Sequence, residues 1–304
     1  MNDILLEGNM GKYTDRLNII SMKLFGRNRE QCQSERKSYL NDVIWQNEPD
    51  MVFLPGDNPD MTSFALNDYR PVNLAFSSET VLLYDSKRLE LEMQNWFDLI
   101  PTLKVPGVQL GKMIFPLMNI LSPQPTQHVV KQFHCISWHY SLTKTESEEL
   151  EQQAASYLWL AQYLAWTHGV EVLIGGDFNL PLQKLQDLLV THNKFVQGTI
   201  ENVKPMFRLM GYDDSMTDNT HRPERRLRQL KLHPCTSTDG SNQTEYFVAS
   251  KEMQLGNTDI IAESKVPVRC AQSAVIKPKI EHERPPPIKT EMHIPARPPR
   301  HNGG

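Results

Sequence analysis

An aspartate and an asparagine follow an apolar stretch in the sequence LIGGDFNLPL, residues 174–183. The apolar residues are typical of a buried strand, which would present Asp177 and Asn179 at its carboxyl end, where loops often hold functional groups. Asp and Asn also favour turns through local hydrogen bonds to the backbone. The stretch alone leaves the catalytic and the turn interpretation open.

Two histidines and a run of basic residues are the other candidates for chemistry. His134 and His139 lie in one strand-like sequence, and alternation places them on opposite faces, so we do not expect them to share a metal. The run HRPERRLRQLKLH (221–233) holds five Arg or Lys residues and one acid. It could contact a phosphate backbone, but it lacks the interleaved aromatic residues that favour single-strand binding. We therefore predict a solvated loop or an exposed helix face there.

The composition limits the classes of protein that fit. The chain has 304 residues, 39% of them hydrophobic, and a net charge of −4. This charge gives no overall attraction to nucleic acid or anionic membranes, so a phosphate-bearing ligand would need a local patch. The four cysteines are widely spaced without a CxxC pair, which argues against a disulfide framework or a structural zinc site. Without a signal peptide or membrane-spanning segment, we expect an intracellular protein, cytoplasmic or nuclear, that does not bind membranes.

Helical and strand-like segments alternate in one unbroken pattern, which predicts a mixed α/β sandwich of two or four layers rather than a purely parallel fold. The predicted helices cover residues 34–50, 145–169 and 182–192, and a short helix or loop precedes residue 205. The predicted strands cover 16–24, 51–60, 71–76, 79–92, 111–121, 129–142, the segment ending at Asp177, 244–250 and 264–276.

The composition changes near residue 277. Residues 277–304 contain seven prolines, six Lys or Arg and three Glu, and no aromatic residue. This segment cannot bury enough apolar surface to order itself, so we predict a disordered tail. Its sequence RPPPIK resembles ligands of SH3 or WW modules, which would be partners of the tail. The predicted organisation is an N-terminal extension (1–15), one domain (16–276) and a Pro-rich basic tail (277–304).

Seven stretches in serial order resemble the endonuclease/exonuclease/phosphatase superfamily, the deoxyribonuclease-like fold. They are IISMKLFGR, EPDMVFLPGD, VLLYDSKRLEL, CISWHYSL, GGDFNLPL, TEYFVAS and ESKVPV, and GGDFNLPL is the most diagnostic. The resemblance covers roughly residues 16–270 and implies a four-layered α/β sandwich, two mixed sheets flanked by helices.

The resemblance also implies a chemistry, the metal-dependent hydrolysis of phosphoesters, with Mg²⁺ as the cofactor. The family uses a Glu to bind the metal, an Asp to prepare the nucleophile, an Asn to contact phosphate and a His polarised by an Asp. By position, His139, Asp177 and Asn179 retain family residues. Asp177 would prepare the nucleophile and Asn179 would contact phosphate.

Other family positions are substituted. Gly56 stands where the metal-binding Glu belongs, and Lys23 replaces a supporting Asn. In the last motif Ser264 replaces the Asp and Lys265 replaces the catalytic His. Glu245 stands where the carboxylate that pairs with that His belongs.

These substitutions leave two functions to compare. In the first, the domain is degenerate, with weak or absent hydrolysis, and Lys23 and Lys265 supply cations to a metal-independent pocket for phosphate or nucleic acid. In the second, it is a divergent Mg²⁺-dependent phosphodiesterase or endonuclease in which Asp57, one residue after Gly56, reaches the metal. We favour the first. The sequence does not distinguish DNA, RNA, phosphoinositide or nucleotide as the ligand.

Overall fold

Two mixed β-sheets face each other in the computed structural model, each with seven strands among the described residues. The structure describes residues 17–23, 33–56, 68–72, 80–92, 113–122, 127–139, 147–198, 200–209, 227–233, 245–255, 259–261 and 269–277. The predicted N-terminal extension, and the predicted tail beyond residue 277, lie outside these ranges.

Sheet I has the strand order β12-β14-β1-β2-β4-β3, with β13 paired to β14. Only β1 and β2 run parallel among its described pairs. Its strands are β1 (Leu17–Lys23), β2 (Met51–Pro55), β3 (Tyr69–Pro71), β4 (Thr80–Asp85), β12 (Gln254–Leu255), β13 (Asp259–Ile261) and β14 (Arg269–Lys277).

Sheet II has the strand order β10-β11-β9-β8-β7-β5, with β6 paired to β8. Strands β8 and β9 run parallel, as a helical crossover connection requires. Its strands are β5 (Leu89–Leu91), β6 (Met113–Ile114), β7 (Leu117–Leu121), β8 (Val129–His139), β9 (Glu171–Asp177), β10 (Leu230–His233) and β11 (Glu245–Ser250).

Helices cover the outer face of each sheet. Helix α1 (Gln33–Asn47) packs on sheet I through Leu40, Val43 and Ile44. Sheet II is covered by α2 (Ser147–His168), α3 (Leu182–Val196) and α4 (Ile200–Leu209). A third apolar cluster, with Phe53, Leu173 and Phe247 among its members, fills the space between the sheets. This arrangement confirms the predicted four-layered α/β sandwich.

None of the described helices is both long and apolar enough to cross a membrane.

Three sequence-based assignments are wrong in kind, each for a local reason. The run 79–92 is not one strand: the chain turns after Asp85, whose carbonyl accepts a hydrogen bond from Arg88 N at 3.1 Å, and passes from sheet I to sheet II. The run 111–121 is two strands, because Pro116 has no N–H to donate to a ladder. The third error is in the basic run 221–233, part of which is a strand.

The end of the basic run is a strand, not the predicted loop or helix face. Leu230–His233 forms β10 at the edge of sheet II. The side chain of Asn193 on α3 satisfies the outer backbone groups of Leu230, with its Nδ2 donating to Leu230 O at 2.7 Å and its Oδ1 accepting from Leu230 N at 2.9 Å. The amide takes the place of a further strand and blocks pairing at that position.

We predict that His192 on α3 limits the stability of the fold in acid. The side chain is 4% exposed against the Trp159 ring, and neither ring nitrogen has a hydrogen-bond partner among the described residues. Burial lowers the pKa of His192 from 6.5 to about 4. The unfolded chain therefore takes up a proton that the folded chain resists, and stability is lost as the pH falls from 6.5 to 4.

The variant His192→Leu should abolish this loss. Urea unfolding at pH 7 and pH 4 should show wild type losing about 3 kcal/mol more than the variant over this interval. His128, which is exposed and bonded to Ser122 Oγ, gives the control variant His128→Leu, which should keep the wild-type pH dependence. Equal acid sensitivity of wild type and His192→Leu would refute the assignment.

Candidate functional site

The end of β9 is shaped by two glycines with different roles. A Cβ on Gly175 would lie 2.9 Å from the Phe53 ring of sheet I and 3.0 Å from the Phe247 ring. A Cβ on Gly176 would lie 1.9 Å from the carbonyl oxygen of Trp138, and Gly176 has a φ of +139°. Gly175 thus leaves space for the Phe53 and Phe247 rings between the sheets. Gly176 lets the backbone of β9 approach the backbone of β8 closely.

Asp177 follows these glycines and is fully buried. Its Oδ1 accepts a hydrogen bond from the backbone N of Asn179 at 3.0 Å. Asn179 has a φ of +50°, a left-handed conformation that Asn tolerates better than most residues. The turn interpretation of Asp177 and Asn179 is therefore observed directly. The turn and the catalytic interpretation do not exclude each other, because the turn hydrogen bond involves only one of the two carboxylate oxygens.

His139 lies beside Asp177 in the sheet. The two residues are partners in the parallel register of β8 and β9, and Glu245 is the partner of Asp177 on the other side, in β11. Phe133 and Cys135 of β8 belong to the cluster between the sheets, so alternation places His139 on this inner face as well. Residues from three neighbouring strands thus meet in one row at the end of sheet II.

Sheet I ends at the same edge of the sandwich. Phe53 of β2 contacts Gly175, and the Thr80 and Ser137 hydroxyls are 2.6 Å apart across the two sheets. Gly56 follows β2 directly and is buried, with a φ of +120°. Lys23 is the last residue of β1, which runs parallel to β2. The backbone positions of Gly56 and Lys23 therefore lie at the edge that carries His139 and Asp177.

Three candidate residues lie outside the described part of the chain: Asp57, Ser264 and Lys265. Lys23 and Glu245 are placed by their backbone alone. The roles assigned to all of these residues, and to His139, Asp177 and Asn179, stay predictions.

The charge of Asp177 acts on a neighbouring tyrosine. Tyr246 is fully buried on β11, and burial together with the negative charge of Asp177 raises the pKa of Tyr246 to about 12. Its ring lies 6.1 Å from that of Phe178, which itself packs 4.4 Å from the Trp138 ring. An aromatic layer therefore supports the turn from the helix side and keeps water from it.

His134, the other histidine of β8, is buried on the opposite face of the sheet from the candidate site. His134 Nε2 lies 2.7 Å from His168 Nδ1 on α2, and its Nδ1 lies 3.3 Å from the Pro116 carbonyl oxygen. Burial, and then the proximity of His168, hold the pKa of His134 well below its usual value. His134 thus faces α2, on the opposite side of the sheet from His139.

The described side chains do not fit the Mg²⁺ site that the resemblance implies. Gly56, at the position where the resemblance implies the metal-binding Glu, offers no side-chain oxygen. Across the described ranges, no three His, Cys, Asp or Glu side chains come together in a way that could hold a metal ion. The alternative ligand Asp57 is outside those ranges.

Sequence reasoning missed the hydroxyl pair and the tyrosine. Ser137 lies two residues before His139, so alternation along β8 could have placed it on the same inner face. Thr80 joins it only through the stacking of the two sheets, which no local pattern reveals. Tyr246 stands next to Glu245 in the sequence, but its proximity to Asp177 depends on the pairing of β11 with β9.

The chain has the deoxyribonuclease-like fold, which is the fold of solved endonuclease/exonuclease/phosphatase proteins. No family model matches the chain, and no curated protein matches its sequence. The likeness is to solved structures, and at the identities found it establishes the fold alone.

Three of these structures illustrate the match. An endonuclease/exonuclease/phosphatase from Bacteroides vulgatus has a TM-score of 0.57 and 12% identity, over 87% of this chain and 99% of that chain. Humanized D. rerio TDP2 with 14 mutations has a TM-score of 0.55 and 12% identity, over 86% and 99%. The human Nocturnin catalytic domain has a TM-score of 0.57 and 11% identity, over 86% and 93%.

We predict that Gly176 cannot carry a side chain. Gly176→Ala should lower the free energy of unfolding by about 3 kcal/mol or more, because the new methyl would meet the Trp138 backbone and the φ is unfavourable for alanine. Gly198→Ala is the matched control: there the added methyl meets the Asn202 amide at 2.4 Å, and this exposed side chain can rotate away. Denaturant unfolding measures both, and equal losses would contradict the close approach of β9 to β8.

Proposed function

We propose that the domain is a degenerate member of this superfamily, with weak or absent hydrolysis, that binds a phosphate-bearing ligand such as nucleic acid. The observation that carries the proposal is Gly56. It is buried, and its φ of +120° is a conformation that residues with a side chain rarely adopt. The backbone at the family's metal-binding position is therefore built for glycine as well as lacking the carboxylate.

The retained Asp177 and Asn179 are consistent with this function, because both have a use in the turn that does not require catalysis. Asp177 holds the turn through Asn179 N, and Phe178 packs against Trp138. Structures with the same fold bind the proposed kinds of ligand: human Nocturnin is described with a bound sulfate anion, and D. rerio TDP2, at a TM-score of 0.51, with a single-strand DNA product. A phosphate in this cleft would rely on cations such as Lys23 and Lys265 rather than on a metal.

The charge of Asp177 separates the two functions. Without a metal, a carboxylate about 4 Å from a bound phosphate repels it by at least about 1 kcal/mol, the value for unit charges in bulk water. Asp177→Asn keeps an oxygen for the turn and removes this charge. Binding of a labelled single-stranded DNA oligonucleotide in EDTA, measured by fluorescence anisotropy, should therefore be retained and tighten roughly fivefold. In a metal-dependent enzyme the same change would abolish cleavage.

A control with the same change in net charge is Asp187→Asn on the exposed side of α3, which should leave the affinity unchanged. Lys265→Glu should weaken binding. If wild type instead cleaves the oligonucleotide with Mg²⁺ and Asp57→Ala removes the cleavage, the degenerate interpretation is wrong and Asp57 is the metal ligand. Absence of binding in EDTA would also contradict the proposal.

We further predict the result of restoring the family residues. The combination Gly56→Glu, Ser264→Asp and Lys265→His should raise Mg²⁺-dependent phosphodiester cleavage measurably above wild type, and adding Asp177→Ala should abolish the gain. Because of the φ of Gly56, the restored Glu should cost about 1–3 kcal/mol of stability. Gly56→Ala should show the same cost without any gain in cleavage. A restored variant that is as inactive as wild type would mean that the backbone, and not the missing side chains, prevents catalysis.

A further inference from the structure

Strand β10 lies at one end of the strand order of sheet II, so part of its backbone faces away from the sheet. The carbonyl oxygen of Gln229 accepts a hydrogen bond from Lys251 N at 2.7 Å, which directs that group toward β11. Because the direction alternates along an antiparallel strand, Arg228 and Leu230 direct their N–H and C=O groups outward. An open row of such groups can pair with a strand of another chain.

Two side-chain amides from the helices occupy this outer row. Asn193 of α3 bonds both backbone groups of Leu230, at 2.7 and 2.9 Å. Gln162 of α2 is fully buried and does the same for Arg228. Its Nε2 donates to Arg228 O at 2.8 Å, and its Oε1 accepts from Arg228 N at 2.6 Å. This orientation of the Gln162 amide is assigned from the hydrogen bonds, because the opposite one places donor against donor and acceptor against acceptor.

The two amides supply what a neighbouring strand would supply. In the hydrogen-bonded pairs of an antiparallel ladder, two residues exchange both their N–H and their C=O groups, and such pairs recur at every second residue. Arg228 and Leu230 are two residues apart, and each exchanges both groups with one amide. The amides come from different helices, so the row is fully occupied only when both α2 and α3 are packed on sheet II. We call Gln162 and Asn193 the edge lock.

The sequence around β10 is compatible with pairing to a second copy of itself. Two antiparallel copies centred on Leu230 would place Leu230 opposite Leu230 and Arg228 opposite Leu232. Lys231 would stand opposite Gln229 and not opposite a second lysine, so this register avoids repulsion between like charges. A contact of this kind is isologous and closes at two copies.

We propose that the outer edge of β10 is a pairing surface for a second copy of this chain, and that the edge lock keeps this surface closed. The lock and a partner strand compete for the same backbone groups of Arg228 and Leu230. With the lock in place, pairing has to break its four hydrogen bonds and leaves the buried Gln162 amide without partners. Without the lock, the outward groups lack partners and gain them from a second strand. The proposed phosphate binding is not needed for this inference.

Sedimentation equilibrium of the full chain tests the proposal with the double variant Gln162→Met and Asn193→Leu. Each change keeps the approximate size of the side chain and removes its hydrogen bonds. Wild type should be a monomer, and the double variant should associate to a dimer at least about tenfold more tightly. The matched control is Gln153→Met with Asn202→Leu. Gln153 is a buried glutamine of α2 whose Oε1 has no hydrogen-bond partner among the described residues, and Asn202 is exposed on α4. The control should stay monomeric, and a folded double variant that is as monomeric as the control would overturn the proposal.

Cysteine substitutions test the register of the pairing. Non-hydrogen-bonded partners in an antiparallel ladder have Cα atoms about 4.5 Å apart, within the range of a disulfide. Gln229→Cys with Lys231→Cys, added to the double variant, should therefore give a cross-linked dimer on mild oxidation. Lys231→Cys alone should not, because the two copies of residue 231 would be more than about 7 Å apart. Cross-linking by Lys231→Cys alone would contradict pairing centred on Leu230. Equal cross-linking of the cysteine pair in a chain that keeps Gln162 and Asn193 would show that the lock does not close the edge.

Hydrogen exchange tests the lock even if the double variant does not fold. In monomeric wild type, the N–H groups of Arg228 and Leu230 should both exchange slowly. The single variant Asn193→Leu should accelerate exchange at Leu230 by about tenfold or more and leave Arg228 slow, because Gln162 still holds Arg228. Fast exchange at both residues in wild type, or an unchanged rate at Leu230 in the variant, would overturn the proposal.

Discussion

The contact of the two sheets at Gly175 determines the geometry of the candidate site. Two phenylalanine rings, Phe53 from sheet I and Phe247 from sheet II, occupy the space that a side chain at residue 175 would need. Their ring centroids are 5.8 Å apart in an edge-on arrangement, which brings the sheets together just below the end of β9. Gly176 then lets the strand approach the Trp138 carbonyl. The position of Asp177 relative to His139 and Gly56 follows from these two close approaches, and a larger residue at either glycine would separate the elements that meet at this edge of the sandwich.

Much of this fold could be predicted from the sequence, because strong local patterns coincide with real elements. The helix predicted over 145–169 is Ser147–His168, and the strand predicted over 129–142 is Val129–His139. The failures occur where tertiary context decides. Nothing local shows that residues 79–92 change sheets after Asp85. Strand β10 is hard to recognise within a basic run, although Leu230 and Leu232 pack with the apolar cluster under α3 and Lys231 between them is exposed. The row formed by His139, Asp177 and Glu245 depends on the pairing of three strands, which the resemblance implied and the local sequence could not show.

Buried histidines show why residue type alone predicts function poorly here. His134, His192 and His233 are all buried, and burial is the largest cause of the lowered pKa of each. They stay neutral at physiological pH and pack as aromatic side chains against His168, Trp159 and the β10–β11 pair. Among the described histidines, only His139 lies in the row with Asp177 and Glu245. The distinction rests on which face of a strand each residue occupies.

The family motif is retained in this chain where the fold itself uses it. In Gly-Gly-Asp-Phe-Asn, the first glycine leaves space for the Phe53 and Phe247 rings, and the second allows the close approach of β9 to β8. The aspartate accepts the hydrogen bond that holds the turn, and the asparagine adopts a left-handed conformation. The phenylalanine packs on Trp138. Each residue would be needed even if no phosphate were ever cleaved. Gly56 and Lys265 stand at the positions where the resemblance implies residues that serve the chemistry, a metal-binding carboxylate and a catalytic histidine. Because the most diagnostic motif is also the most structural one, its presence is strong evidence for the fold and weak evidence for hydrolysis.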